Sequence, residues 1–193
     1  MTELLLVRHG ETDWNAERRF QGHADPPLND VGRRQARALA DELAGERIDA
    51  VYTSDLARAR ETAAILAEPR GIRVVALPEL REIDVGEWQG LTWPEIEERY
   101  PEGVSAWHET GNGWQQGETY DELGARILVV LRRIVAEHAD ERVLVVGHGG
   151  TVRAIRAHLE GRSVAESRRQ SPAIGNCEVF RVGSEDGQFR RLD

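Results

Sequence analysis

Two segments of the chain place an imidazole directly after a run of apolar residues. Residues 4–10 read LLLVRHG and residues 143–150 read VLVVGHGG. Each apolar run has the composition of a buried strand. Because ligands of open α/β sheets bind at the carboxyl ends of the strands, the pattern predicts that His9 and His148 face one ligand site.

Two arginines accompany these histidines. Arg8 precedes the first histidine, and Arg58 lies in the first turn of a helix predicted after another strand end. A guanidinium is a planar fork that matches phosphate oxygens bidentately. A helix starting at Gly149 would add backbone N–H groups and the positive end of its dipole. This cationic cluster, in a chain of net charge −9, predicts a dianionic ligand such as phosphate.

Strands and helices alternate along the chain. Strands are predicted at residues 3–7, 49–53, 72–77 and 142–146, with a closing hairpin of 177–182 and 188–192 across 183–187. Helices are predicted at 30–43 after an Asn29 cap, at 55–68 after a Ser54 cap, after Thr119, and around Val152, Ile155 and Leu159. This alternation predicts an α/β fold with three layers (α/β/α), a mostly parallel central sheet and helices on both faces.

Composition excludes several classes of protein. A net charge of −9 argues against nucleic acid or an anionic membrane as a partner. No apolar run is long enough to span a membrane, and the N-terminus has no pattern of a secretory signal, so we expect a cytoplasmic protein. The single cysteine, Cys177, excludes an intramolecular disulfide and is predicted to be a buried thiol in a strand.

Further motifs follow in order and make the chain resemble the histidine phosphatase superfamily, which includes the cofactor-dependent phosphoglycerate mutases. The matching residues are Arg8-His9-Gly10-Glu11-Thr12, Asn15, Gln21-Gly22, Pro27-Leu28, Gly32, Ser54-Asp55-Leu56, Arg58, Thr62, Glu82 and Gly147-His148-Gly149. The resemblance implies a phosphoglycerate mutase-like fold in one domain, 1–193, with residues 78–117 as an inserted lobe that covers the active site.

The resemblance also implies roles for the matching residues. His9 would attack phosphorus and form a phosphohistidine, and Glu82 would act as acid and then as base. Arg8, Arg58 and His148 would hold the phosphoryl oxygens and stabilise charge in the transition state. Asn15, Gln21 and Gly149 would add hydrogen bonds to the phosphate. No metal or other cofactor is expected.

Structural roles compete with several of these interpretations. Arg58 has the spacing for an ion pair with Glu61, and polar loop residues such as Asn15 and Gln21 often only cap turns. Glu118 and Arg126 match a less universal family pattern and are also interpretable as a structural ion pair. The residues expected mainly to pack rather than to bind substrate are Trp88, Trp93, Trp107 and Trp114.

Hydrolysis is favoured over the mutase reaction. A mutase must shield its phosphohistidine from water and hold a bisphosphorylated cofactor with additional cations. Residues 94–117 contain Arg99 as their only arginine beside five glutamates, and residues 80–90 read like the phosphatase branch. We therefore predict a phosphomonoester hydrolase acting on a small phosphorylated metabolite. A cofactor-dependent phosphoglycerate mutase and a non-catalytic phosphoester-binding protein stay as alternatives.

Two expectations concern the substrate and the assembly. The acidic, tryptophan-rich segment predicts a neutral or sugar-like leaving group. The resemblance leaves monomer, dimer and tetramer open, and we expect a homodimer.

Overall fold

A six-stranded sheet forms the centre of the computed structural model, which describes residues 1–192. Its strands are β1 (Thr2–Arg8), β2 (Ala50–Thr53), β3 (Val74–Ala76), β4 (Arg142–Gly147), β5 (Val179–Glu185) and β6 (Gln188–Arg191). The spatial order is β3-β2-β4-β1-β5-β6. The first four strands run parallel to one another, whereas β5 is antiparallel to β1 and β6 to β5.

Helices connect the parallel strands. They are α1 (Asp13–Ala16), α2 (Asp30–Glu42), α3 (Ala57–Ala67), α4 (Trp93–Arg99), α5 (Pro101–Thr110), α6 (Tyr120–Glu137), α7 (Gly149–Glu160) and α8 (Val164–Gln170). Short 3-10 turns occupy Glu68–Arg70, Pro78–Leu80 and Gly86–Trp88.

The central strands are buried on both faces. Leu4 and Leu6 of β1 pack into one core with α6 and α7, whereas Leu5 and Val7 pack into a second core with α2 and α3. Alternate strand residues point to opposite faces, so one apolar run supplies both cores. The predicted three-layer fold with a mostly parallel sheet is confirmed.

The helix that carries Arg58 begins later than predicted. Leu56 is its N-cap and makes no side-chain capping bond. The Ser54 hydroxyl instead accepts a hydrogen bond from the Leu56 amide, 3.3 Å away, within the turn that precedes the helix. The prediction of a Ser54 cap was therefore wrong, because this serine forms a local turn instead.

The C-terminal hairpin also differs from the prediction. Cys177 lies outside the strand, in left-handed backbone geometry with φ of 56°, and its side chain is half-buried. The turn is tighter than expected, since Asp186 and Gly187 alone connect the strands, with φ of 51° and 75°. An Asp-Gly pair with two positive φ angles is favoured in two-residue hairpin turns.

Helix α8 is absent from the predictions. The Ser163 hydroxyl accepts a hydrogen bond from the Glu166 amide, and the Glu166 carboxylate accepts bonds from Ser163 in return. This capping box is visible in the sequence as Ser163-Val164-Ala165-Glu166, and it is the signal that could have located the helix.

Residues 78–117 contain the two short helices α4 and α5. Trp88 is fully buried at the centre of this segment and meets Trp93 and Trp114 edge to face. The segment thus has an aromatic core, which is continuous with the core on the α6 and α7 side of the sheet.

Candidate active site

The carboxyl ends of β1 and β4 bring two histidines together. Arg8 pairs with Gly147 at the end of the parallel ladder, and the His9 amide donates to the Gly147 carbonyl at 3.0 Å. The two strands therefore end at the same level. The imidazoles of His9 and His148 are buried, with their ring centroids 5.2 Å apart.

One hydrogen bond fixes the tautomer of His9. Its Nδ1 lies 2.6 Å from the Gly10 carbonyl oxygen, which only accepts, so Nδ1 carries the proton and Nε2 keeps its lone pair. Burial, together with the charges of Arg58 and Arg8, lowers the His9 pKa well below its ordinary value. The imidazole is therefore neutral at physiological pH and has a free nucleophilic nitrogen.

Polar contacts from two other parts of the chain hold the backbone beside His9. The Gly10 amide donates to the Thr62 hydroxyl at 3.0 Å, and that hydroxyl donates to the Arg58 carbonyl at 2.7 Å. The Asn176 side-chain amide donates to the His9 carbonyl at 2.8 Å. Asn176 is a positioning contact that the sequence analysis missed, because it lies 167 residues away in the chain.

His148 is neutral for the same physical reasons. Burial is the largest cause, followed by the charge of Arg58, and together they lower the His148 pKa well below its ordinary value. Neither ring nitrogen contacts a hydrogen-bond partner in the part of the chain described. A buried imidazole without a protein partner is suited to form hydrogen bonds with a bound ligand.

Two arginines, Arg58 and Arg8, supply the positive charge of the site. Arg58 is fully buried and donates to the carbonyls of Ala24 and Gly22, at 2.7 and 2.9 Å. Burial lowers the Arg58 pKa to about 10, so the group stays charged at neutral pH. Arg8 donates to the Ile174 carbonyl at 2.8 Å.

The alternative role for Arg58 as an ion-pair partner of Glu61 is wrong. Glu61 pairs with Arg33, at 2.6 Å. The side chain of Arg58 is directed instead to the loop carbonyls and the cleft.

Glu82 reaches this site from the segment after β3. Its carboxylate accepts hydrogen bonds from the amides of Ile83, at 2.9 Å, and Gly150, at 3.1 Å. The first turn of α7 was expected to direct its N–H groups to phosphate. The Gly150 amide instead donates to Glu82, and Gly149 and Gly150 both line the cleft.

Asn15 and Gln21 both line the cleft. The side-chain oxygen Oδ1 of Asn15 accepts a hydrogen bond from the Thr12 amide at 3.1 Å and so closes the cap of α1. The side-chain oxygen of Gln21 is buried and has no partner within residues 1–192.

A cleft of about 250 Å³ extends from the histidines. The lining also includes residues that were not predicted: Arg19, Phe20, Ile83, Val85, Tyr120, Arg153, Ala173 and Ile174. Arg153 follows Gly149 by four residues on α7, so helical spacing was the signal that could have placed it in the site.

Arg153 differs electrostatically from Arg19. Arg19 is neutralised by Glu17 and Glu95, at 2.6 and 3.0 Å. Arg153 makes no ion pair with any residue from 1 to 192 and lies beside the buried hydroxyl of Tyr120. Burial raises the pKa of that hydroxyl, which is therefore an uncharged hydrogen-bonding group.

The acidic side chains of residues 94–117 do not line the cleft. Glu97, Glu98, Glu102 and Glu109 are exposed, and Glu82 is the only acid among the described residues that line it. The expectation of a neutral leaving group was based on these acidic side chains. Because they do not line the cleft, they give no reason to expect a neutral leaving group. The tryptophans of the segment pack with one another and are absent from the cleft lining, as predicted.

Two further observations concern metal ions and membranes. Across residues 1–192, no cluster of three His, Cys, Asp or Glu side chains is arranged to hold a metal ion. None of the helices described there is long and apolar enough to cross a lipid bilayer.

Comparison with known protein families identifies the family to which this chain belongs. The family model of the histidine phosphatase superfamily (branch 1) matches residues 4–192. The chain belongs to this family. It is therefore a phosphatase-type enzyme in which the two strand-end histidines meet at one site.

Individual relatives agree with this assignment. The metal-independent phosphoserine phosphatase of Arabidopsis thaliana is 44% identical over 170 residues, or 86% of this chain and 71% of that protein. The phosphoglycerate mutase-like protein 4 of the same plant is 43% identical, over 95% of this chain and 81% of that protein. Among solved structures, Bacillus stearothermophilus YhfR superposes with a TM-score of 0.92 at 34% identity, covering 99% of this chain and 95% of that one.

Proposed function

We propose that His9 is the nucleophile of a two-step phosphomonoester hydrolysis. The observation that carries the proposal is the bond from His9 Nδ1 to the Gly10 carbonyl, which leaves Nε2 unprotonated beside Arg8, Arg58 and His148. Nε2 forms a bond to phosphorus while the bond to the ester oxygen breaks. Water then attacks the phosphohistidine, the N–P bond breaks, and inorganic phosphate leaves.

Glu82 moves the proton in both steps. It donates a proton to the departing ester oxygen, which leaves as an alcohol, and later accepts a proton from the attacking water. The cations of Arg8 and Arg58 and the imidazole of His148 stabilise the charge on the transferred phosphoryl group. Additional hydrogen bonds come from Asn15, Gln21 and Gly149. Residues 78–117 contribute Glu82 and act as the cover of the site.

The substrate that we propose is a small phosphomonoester whose leaving group carries a carboxylate. Arg153 lines the cleft beside the Tyr120 hydroxyl and makes no ion pair within residues 1–192, and we assign it to the leaving group. A guanidinium and a hydroxyl together match a carboxylate. The Arabidopsis relative is named for phosphoserine, which has such a leaving group. Phosphoserine is therefore the first substrate to test.

The reaction is tested by release of inorganic phosphate from phosphoserine and 3-phosphoglycerate in the presence of EDTA. We expect release by the wild type and none by His9→Ala, since the proposed chemistry uses no metal. Abolition of release by EDTA would contradict the proposal. Equal binding of phosphoserine by both proteins without any release would instead support a phosphoester-binding protein.

The substrate class is tested with O-phosphoserine and O-phosphoethanolamine, which differ only in the carboxylate. We expect the wild type to prefer phosphoserine in kcat/KM by about tenfold or more, as a charge-assisted hydrogen bond would provide. Arg153→Met should remove that preference and leave the rate on phosphoethanolamine nearly unchanged. The same preference in the variant would overturn the role of Arg153.

The mutase alternative would need additional cations from the covering segment, and residues 94–117 bring no arginine to the cleft. Arg99 is the only arginine of residues 94–117, and it is exposed and absent from the cleft lining. Conversion of 3-phosphoglycerate to 2-phosphoglycerate that depends on 2,3-bisphosphoglycerate would support a mutase. The homodimer and the cytoplasmic location stay predictions, and light scattering of the purified protein tests the first of them.

A further inference from the structure

Glu82 lies on a stretch of chain without regular secondary structure. Residues 81–85 belong to neither helix nor strand, between the turn Pro78–Leu80 and the turn Gly86–Trp88. A proton donor has to be held within a fraction of an ångström of its target. The position of the Glu82 backbone must therefore come from tertiary contacts.

Arg126 supplies the largest set of these contacts. It projects from α6, and its Nη1 donates to the carbonyls of Glu79 and Arg81, at 2.7 and 3.0 Å. Its Nη2 faces the Glu82 carbonyl at 3.4 Å. One guanidinium therefore reaches three backbone acceptors of the four-residue stretch that ends at the proposed acid.

Glu118 fixes that guanidinium in turn. Its carboxylate accepts from Arg126 Nε at 2.8 Å and from Nη2 at 2.6 Å, in a bidentate pair. The Glu118 amide also donates to the Asp84 carbonyl at 2.8 Å. Both ends of the stretch 79–84 are thus tied to one ion pair, and the pair is mostly buried, with side-chain exposures of 24% and 15%.

This ion pair stands outside the reaction cleft. Arg126 and Glu118 are absent from the lining of the cleft and instead line a shallow groove with His23 on the far side of the Glu82 backbone. His23 Nε2 lies 2.9 Å from the Glu82 carbonyl and adds a second contact to the same atom. The hydrogen bonds from Arg126 to this stretch all end on backbone carbonyls, so they act on the Glu82 carboxyl through the backbone.

We propose that Arg126, held by Glu118, is a positioning residue that keeps the Glu82 carboxyl at the leaving oxygen. The inference rests on the proposed role of Glu82 as acid. It predicts a defect that depends on the leaving group. A serine alkoxide needs a proton in order to depart, whereas p-nitrophenolate is stable as an anion and departs without one.

The test compares kcat/KM for phosphoserine and for p-nitrophenyl phosphate, because kcat/KM reports the steps up to the first cleavage of the ester bond. For Arg126→Met we expect a loss of roughly tenfold to hundredfold with phosphoserine, and less than threefold with p-nitrophenyl phosphate. Arg133→Met is the matched control. Arg133 lies two turns further along α6, and within residues 1–192 its side chain hydrogen-bonds only to the Glu79 carboxylate, at 3.3 Å. We expect it to leave both substrates unchanged.

A second variant separates positioning from destabilisation. Arg126→Met leaves the Glu118 charge unpaired, which destabilises the fold by itself. The double variant Arg126→Met/Glu118→Gln removes both charges, and we expect the same selective loss with phosphoserine. Equal losses with both substrates, or no loss with either, would overturn the positioning role.

Glu82→Gln distinguishes failure of this inference from failure of the proposed function. If Glu82→Gln shows the dependence on leaving group and Arg126→Met does not, the positioning role alone is wrong. If Glu82→Gln itself shows no such dependence, the assignment of Glu82 as acid is wrong, and the positioning role falls with it.

Discussion

The Gly150 amide donates to the Glu82 carboxylate at 3.1 Å, and a Cβ atom built on Gly150 would lie 2.1 Å from Glu82 Oε1. The absence of a side chain at Gly150 therefore allows the carboxylate to approach the first turn of α7. Glycine is needed at position 150 for this close contact and not for its backbone freedom, because the φ angle of Gly150 is not positive.

Gly150→Ala is expected to displace the Glu82 carboxylate. We expect kcat/KM with phosphoserine to fall roughly tenfold to hundredfold, since a misplaced acid loses its geometry with the ester oxygen. Gly45→Ala is the control, because a Cβ atom there meets nothing within 4 Å. Unchanged steady-state kinetics of Gly150→Ala would contradict the contact.

Thr62 connects the His9 loop to α3 through one hydroxyl. Thr62→Val keeps the shape but leaves the buried Gly10 amide without its acceptor, which costs about 1–3 kcal/mol of the free energy of unfolding. Thr62→Ser keeps the hydroxyl and should lose less. Urea denaturation of the three proteins measures the difference, and a Thr62→Val protein as stable as the wild type would contradict the contact.

The Arg58 guanidinium donates to two backbone carbonyls and also lines the cleft. The single ammonium group of a lysine cannot make all of these contacts. We expect Arg58→Lys to lower kcat/KM by about 10²–10³, as loss of a donor to the transition state does. Arg60→Lys, at an exposed position of the same helix, is the matched control. Near-normal rates for Arg58→Lys would exclude the proposed role.

The buried histidines predict how stability depends on pH. The pKa of His148 is lowered in the folded protein, so below about pH 6.5 the unfolded chain binds a proton that the folded chain does not. This contribution is present above pH 6.5 and is lost as the pH falls. In phosphate-free buffer, His148→Asn should therefore lose less stability between pH 7.5 and pH 5.5 than the wild type. Equal losses in the two proteins would contradict a neutral buried imidazole.

Much of the fold could be predicted because its signals are local. The apolar runs of β1 and β4 and the Thr119 cap of α6 are visible within a few residues. Cys177 was wrongly predicted to lie in a strand, and Ser54 was wrongly predicted to cap a helix. In both cases a tight turn precedes the element and delays its first residue. Burial raises the pKa of the Cys177 thiol to about 12, so the half-buried thiol is protonated at neutral pH.

The site could be predicted only where motifs carry it. His9, His148, Arg8, Arg58 and Glu82 follow from motifs or strand ends, whereas the contacts that orient them do not. Asn176 reaches His9 across the chain. The Glu118–Arg126 ion pair was one interpretation of the sequence, but the bonds from Arg126 to the carbonyls around Glu82 have no signature there. Such contacts are set by packing of distant elements, so a single sequence does not reveal them.

Trapping of the phosphoenzyme tests the central claim most directly. Phosphoserine carrying a ³²P label is mixed with the enzyme, quenched rapidly in alkali, and digested so that the labelled peptide can be sequenced. We predict a base-stable, acid-labile phosphate on His9 in the wild type and no label in His9→Ala. Phosphate release by the wild type without label on His9, or label on another residue, would contradict the account.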